Sequence, residues 1–393
     1  MIRFAGLKQL MMDQRQKILF ITQIAPFPIT GGEQLRSYGL IKMLSNSGIE
    51  TIAVIDARSR NVPELPNIKF FLFDFKKQSS HIHLVNVISI FRKNKALVSL
   101  INELIEKEKY DTAIIDYYFY GQYINLLKKK GLNVVYGTHN AQARLYLQRK
   151  AQGIKSFFYI WFEYVVQTFH ERLYFPRANA LLVVSQKDFT FYKSFIKPEK
   201  IFLVPNMIEK TPINLETIEK ENYVVMTANF HAFQNTVGLE WFIKEVWDEE
   251  LSQVTYLRLF GFGSIKFYET LKKKYQFRNI EALGEVDDIK PHIAKARMSI
   301  VPLLDGGGTR LKCLEAMSLK TQLISTSKGA EGIEHNNSII IADTASAFKQ
   351  RILDVIGGSV NTVSEAYRIF EEKYSLEATQ KTLSGLLQKQ LNH

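Results

Sequence analysis

Short β-rich runs alternate with segments of helical period along this chain, and the series runs through twice with one interruption near residue 210. The first series places strands at Lys17–Thr22, Thr51–Ile55, Ile68–Phe73, Thr112–Asp116, Val134–Thr138, Ala180–Ser185 and Ile201–Asn206. Helical patterns separate them, notably Ala96–Lys109 and Glu33–Ser47, the latter with apolar Leu35, Leu40, Ile41 and Leu44 and stopped by Gly48. The second series places strands at Tyr223–Ala228, Tyr256–Phe260, Ile280–Leu283, Met298–Leu304, Gln322–Ser325 and Ser338–Ile341, with a helix over Thr236–Trp247. Alternation of this kind predicts parallel, doubly wound α/β sheets, whose ligands bind at the C-terminal ends of the strands. A chain of 393 residues is too long for one typical core, so two such domains are expected. The expected bounds are an N-terminal extension over 1–16, a first domain over 17–206 and a linker over 207–221. A second domain follows over 222–375, and a C-terminal helix over 376–393 packs back toward the first domain.

Composition narrows the class. Hydrophobic residues make up 46% and charged residues 23%, the proportions of a soluble globular protein. One cysteine, Cys313, excludes an intrachain disulfide and fits a reducing, cytoplasmic compartment. The sequence has no Cys/His cluster of metal-ligand spacing and no apolar run of membrane-spanning length, and Arg3 and Lys8 interrupt any leader pattern. The net charge of +12 is uneven: residues 1–205 hold 29 Lys and Arg against 15 Asp and Glu, whereas the remainder holds 22 against 24. A basic first half suits an anionic partner such as the inner face of a cell membrane or a lipid phosphate; a solvated lysine-rich face, as at Lys128–Lys130, is the plainer reading. No helix-turn-helix, finger or RNP pattern points to nucleic acid.

The chemistry concentrates at Asp305–Met317, DGGGTRLKCLEAM. A strand that breaks into Gly306, Gly307 and Gly308 and restarts as a helix presents backbone N–H groups to an anion. Arg310 and Lys312 add positive charge where a helix dipole alone would disfavour it, which argues for a bound anion. Thr309 can cap the helix in any reading. Glu315 is either a sugar-hydroxyl acceptor or the i,i+3 ion-pair partner of Lys312. Phosphate and sugar recognition in one segment predicts a nucleotide-sugar site.

These residues, followed by LISTSKGAEGI at 323–333, resemble the retaining GT-B glycosyltransferases of glycosyltransferase family 4, also called group 1 glycosyltransferases. Further landmarks agree in order over nearly the whole chain: Gly31-Gly32, Thr138-His139-Asn140, Val184-Ser185, Val204-Pro205-Asn206 and the run NTVGLEWF from Asn235. The resemblance implies two Rossmann-like domains facing a central cleft. It also implies transfer of a sugar, with retention, from a nucleotide-sugar to a glycan or lipid-linked saccharide in cell-surface polysaccharide biosynthesis. In that frame Arg310 and Lys312 stabilise the departing diphosphate and Glu315 holds the ribose. His139 meets the donor sugar, Gly31 and Gly32 face the diphosphate or acceptor, and the backbone around Gly284 receives the base. No cofactor is implied, and without an Asp-x-Asp no metal is either.

The chain departs from the family's pattern twice. Gly307 stands where many members carry the first of two glutamates, and MTANFHAFQN at 226–235 lacks the usual arginine and lysine. Arg310 and Lys312 are expected to take over from that pair. Asp116, at a strand end, is a weak candidate nucleophile. Two other functions stay open: a nucleotide-sugar epimerase of the same fold, and a catalytically silent nucleotide-sugar-binding subunit. Residues 145–176, rich in aromatics with interspersed Arg144, Arg149, Lys150, Lys155 and Arg172, form either an interfacial helix resting on a membrane or a helix packed on its own domain.

Overall fold

The computed structural model describes residues 16–29, 31–75, 90–148, 153–308 and 310–391. They fall into two compact units, one running to Asn206 and resuming at Thr379, the other Met207–Ala378.

The first unit is built on seven parallel strands: β1 (Lys17–Ile21), β2 (Glu50–Asp56), β3 (Ile68–Phe73), β4 (Thr112–Asp116), β5 (Asn133–Gly137), β6 (Ala180–Val183) and β7 (Ile201–Leu203). Their order is β3-β2-β1-β4-β5-β6-β7. Ile18, Leu19 and Phe20 of β1 are all buried, because helices cover both faces of a parallel sheet. Those helices include α1 (Gly32–Asn46), α2 (Lys95–Lys107), α3 (Ile124–Lys129), α4 (Gln142–Leu147), α5 (Ile154–Tyr174) and α6 (Gln186–Tyr192). The α2 helix shows the local logic. The Asn94 side chain caps it by accepting from Ala96 N and Leu97 N, and Leu97, Leu100 and Ile101 line one buried stripe. Strand order reverses between β1 and β4, so a crevice opens at their C-terminal ends.

The second unit repeats the plan with six parallel strands: β8 (Glu221–Thr227), β9 (Tyr256–Phe260), β10 (Ile280–Gly284), β11 (Ala296–Val301), β12 (Gln322–Ser325) and β13 (Ile340–Ile341), in the order β10-β9-β8-β11-β12-β13. Its helices include α7 (Phe233–Trp241), α8 (Glu249–Val254), α9 (Ser264–Lys274), α10 (Lys290–Lys295), α11 (Leu311–Ser318), α12 (Ala345–Ile356) and α13 (Val363–Ile369). The helix expected over Thr236–Trp247 does not run through. It gives way at Phe242 to a wider π-type turn, which lets Phe242, Ile243, Val246 and Trp247 all reach the core. Segment 207–221 packs into this unit, with Met207 and Ile208 buried and Ile208 N donating to Tyr374 O at 3.0 Å. The last helix, α14, spans Leu376–Leu391. From Thr379 onward it lies in the first unit, where Gln380 Nε2 donates to Met43 O, in the last turn of α1, at 2.9 Å.

Candidate functional site

In the first unit the crevice residues form a closed network around Asp116, the last residue of β4. Asp116 is fully buried; its Oδ1 lies 3.1 Å from His139 Nε2, and its Oδ2 accepts from Ser37 Oγ at 2.5 Å. Thr22, which follows β1, donates to the Asp116 carbonyl at 2.8 Å. Parallel pairing places this constellation, since Asp116 is in register with Gly137 and His139 follows two residues later. Burial disfavours the charged form of either partner, but each charge stabilises the other. The carboxyl is held below its usual range and the imidazole above it. With both carboxylate oxygens engaged and no exposed surface, Asp116 orients His139 and is not the free nucleophile that its strand-end position suggested. His139 Nδ1 is buried and has no hydrogen-bond partner among the described residues.

Gly31 and Gly32 open α1, and both are exposed. Gly31 has extended backbone angles that any residue adopts, so its conformation does not demand glycine. The same helix carries Ser37 and the buried Arg36, whose Nη1 donates to Val204 O at 2.5 Å and Pro205 O at 3.2 Å.

In the second unit, β11 stops at Val301 because Pro302 has no N–H to continue the ladder. The following loop carries Gly306 and Gly308 at φ +100° and +90°, the left-handed region that glycine enters freely. Thr309 lies outside the described residues. The residue at the cap position of α11 is Arg310, in extended conformation, so the helix begins later than a Thr309 cap would place it. Arg310 is only 8% exposed; its Nη1 donates to Gly307 O at 3.0 Å, while its Nε and Nη2 are buried without partners among the described residues. Unmet buried donors cost about 1–3 kcal/mol, and more when charged. Lys312 Nζ donates to Asn235 Oδ1 at 3.0 Å rather than pairing with Glu315. Asn235, on α7, is itself fixed through Nδ2 to Asn229 O at 2.8 Å. Burial, seconded by the Arg310 charge, pushes the Lys312 ammonium down to about 8. Glu315 accepts no side-chain hydrogen bond from the described residues, and burial pushes its carboxyl up against the pull of Lys312 and Lys290.

Neighbouring strand exits meet closely at this edge. A Cβ on Gly261 would come within 2.2 Å of Ala228 O, and Gly261 N donates to Gly284 O at 2.7 Å. Gly284, at the end of β10, also has positive φ. Segment 327–333 packs under α11, with Cys313 Sγ donating to Gly329 O at 3.3 Å. Glu331, paired with Lys328 at 2.7 Å, adds a negative charge that Arg310 feels. Thus Gly306, Gly307, Gly308, Arg310, Lys312 and Glu315 share one loop and helix, and Gly284 ends a strand of the same sheet. His139, Gly31 and Gly32 belong to the first unit's crevice. Sequence reading did not single out Asn235 or Glu331 as site residues, nor the pairing of Asp116 with His139. That pairing had a signal, an Asp and a His ending adjacent parallel strands. Among the described residues no group of three or more His, Cys, Asp or Glu is placed to hold a metal ion.

Residues 221–357 match the family model for "Glycosyl transferases group 1". An uncharacterized 44.6 kDa protein in the cps region of Klebsiella pneumoniae is 22% identical over 386 residues, covering 91% of this chain and 96% of its own length. Among solved structures, sucrose-phosphate synthase from Thermosynechococcus elongatus superposes with a TM-score of 0.72 at 15% identity, covering 95% of this chain and 99% of its own. The Anabaena Alr3699/HepE protein in complex with UDP gives 0.66 at 14% identity, covering 95% and 100%. The two units therefore have the Rossmann-like domains of the GT-B glycosyltransferase fold.

Proposed function

We propose that this protein is a retaining glycosyltransferase of the group 1 class. It transfers a sugar from a nucleotide-sugar to a hydroxyl of a glycan or lipid-linked saccharide. The observation that carries the reading is Arg310: a buried guanidinium with two nitrogens unmet among the described residues, beside positive-φ glycines at the C-terminal end of a central parallel strand. A diphosphate supplies what those nitrogens lack. Its charge grows as the sugar–phosphate bond breaks, so Arg310 and Lys312 stabilise the leaving group more than the ground state. Glu315 accepts from ribose hydroxyls, Gly284 offers backbone to the base, and His139 offers Nδ1 to a sugar hydroxyl. No protein carboxylate is assigned as nucleophile. Rate acceleration then comes from positioning and leaving-group stabilisation, and a donor phosphate oxygen takes the acceptor's proton. The match to group 1 glycosyltransferases over 221–357 supports donor binding in the second unit, and the UDP complex of a similar structure favours a uridine nucleotide. The relative from the cps region is in keeping with a cell-surface polysaccharide product.

The test is a thermal-shift screen of UDP-, GDP- and ADP-sugars followed by transfer assays with and without chelator. One nucleotide class is expected to raise the transition temperature, since it binds only the folded state. Transfer is expected to survive chelation. No shift with any nucleotide would end the reading. An epimerised donor in the absence of acceptor would favour the epimerase, for which the Asp116–His139 pair supplies an acid–base group. Binding without transfer to any acceptor would favour the silent subunit.

We also place the protein at the inner face of the cell membrane. The α5 helix turns Ile154, Phe157, Phe158, Trp161 and Phe169 outward, each more than half exposed, while burying Glu163, Gln167, His170 and Glu171. The outward stripe sits on the basic half of the chain, as an anionic interface requires. Arg149 and Lys150 lie outside the described residues. No described helix is long and apolar enough to cross a membrane. Flotation with anionic and neutral vesicles tests this placement, and equal recovery with both would count against it.

A further inference from the structure

The residues just after His139 are held from outside their own helix. Ala141 occupies the cap position of α4 and has no side chain able to meet the orphan amides there. Two buried carboxyls on other helices do so. Asp188, on α6, accepts from Ala141 N at 3.1 Å through Oδ1, while Ser185 Oγ donates to its Oδ2 at 2.6 Å. Glu171, on α5, accepts from Ala143 N at 3.3 Å. Tyr192 OH reaches Asn140 O at 3.5 Å. On the other side, Thr138 N and Oγ1 both donate to Leu182 O, at 2.9 and 3.1 Å. Residues 138, 140, 141 and 143 are therefore pinned, and His139 sits inside the pinned stretch with its ring against Asp116.

We propose that Glu171 and Asp188 are positioning residues for His139, clamping the amides that follow it so that its ring stays on Asp116 with Nδ1 free. Neither carboxyl is assigned a contact with substrate. The importance of this for turnover rests on the proposed role of His139; the clamp itself does not. Burial pushes the Glu171 carboxyl up to about 8, so near neutral pH it holds a proton and acts as a neutral acceptor. A glutamine can reproduce that acceptor, whereas a methionine fills the same space and accepts nothing. Both substitutions avoid the cavity that alanine would leave.

The experiment compares Glu171→Met with Glu171→Gln in the full chain, using 15N-histidine labelling and a His139→Gln variant to assign the His139 imidazole. Glu171→Met is expected to move the His139 ring signals and lower its pKa, as the ring loosens from Asp116. Glu171→Gln is expected to keep the wild-type signals. Turnover should fall at least tenfold in Glu171→Met and stay within threefold in Glu171→Gln, with the donor KM within twofold in both. Wild-type imidazole signals in a folded Glu171→Met chain would overturn the clamp. If that variant does not fold, Asp188→Leu, which fills similar space and accepts nothing from Ala141 N, is read in the same way and decides. Unchanged turnover in His139→Gln would instead overturn the role given to His139, leaving the imidazole result to judge the clamp alone.

Discussion

The two crevices are finished to different degrees. Around Asp116 the carboxylate and carbonyl groups are all engaged, carboxylate to imidazole, carboxylate to serine and threonine to carbonyl, and only Nδ1 of His139 and the Nε and Nη2 of Arg36 are left over among the described residues. Around Arg310 the polar groups face inward with donors unmet, a lysine held near its titration point and a glutamate without a hydrogen-bond partner among the described residues. The first arrangement is pre-organised at the cost of burying a pair that must stay intact. The second stores unmet electrostatic demand that a ligand relieves. Substitutions should therefore behave in opposite ways in the two places.

The largest contrast is expected at Arg310. Arg310→Met should lower kcat by about 10²–10³-fold, the loss typical of removing one preorganised charge stabiliser. It should also leave the melting temperature of the free protein unchanged or raised, because a buried, half-satisfied cation is replaced by apolar surface. A melting temperature lowered in proportion to the lost activity would break the contrast. Next comes Asp116→Asn, which should lower both quantities together. Turnover should drop about 10²-fold as the ring loses its orientation, and the His139 pKa, now raised by the Asp116 charge, should fall. Retention of the His139 pKa in NMR titration would show that the pair is not coupled as described.

A pH series sharpens the comparison further. Lys312 titrates at about 8 when folded and near 10.5 when unfolded. Between those values the unfolded chain holds the extra proton, so this group's contribution to stability rises with pH across that window. Donor affinity should move the other way, weakening above pH 8 by up to about tenfold per pH unit as the ammonium is lost. Calorimetric stability and donor Kd measured together from pH 7 to 10 would show this divergence; parallel trends would contradict it. The smallest effect is expected for Glu315→Gln, a rise in donor KM of about five- to tenfold, or ~1 kcal/mol for one hydroxyl contact.

The sheets were legible because a buried parallel strand needs an apolar run and little else. Ile68–Phe73, Thr112–Asp116, Tyr256–Phe260 and Gln322–Ser325 have the same bounds in sequence and structure. The interruption of α7 at Phe242 was not legible, because both the α and π geometries place apolar residues on nearly the same face. The glycine loop could be read, but the start of its helix could not, since the cap is an arginine held by a glycine carbonyl and not a side-chain acceptor. The Asp116–His139 pair depends on which strands are neighbours, and that order is a property of the whole sheet. For α5, periodicity shows one aromatic stripe and one polar stripe but does not say which faces inward. The structure buries the polar one.

Cys313 gives the second unit a built-in reporter. It is the chain's one thiol, fully buried on α11 between Lys312 and Leu314, and burial pushes it up to about 12. An alkylating reagent can therefore react only when α11 lifts from Gly329, and the rate of labelling counts those openings. A nucleotide that settles on the same helix slows the count without any engineered probe. A variant that loosens only the first unit leaves it unchanged.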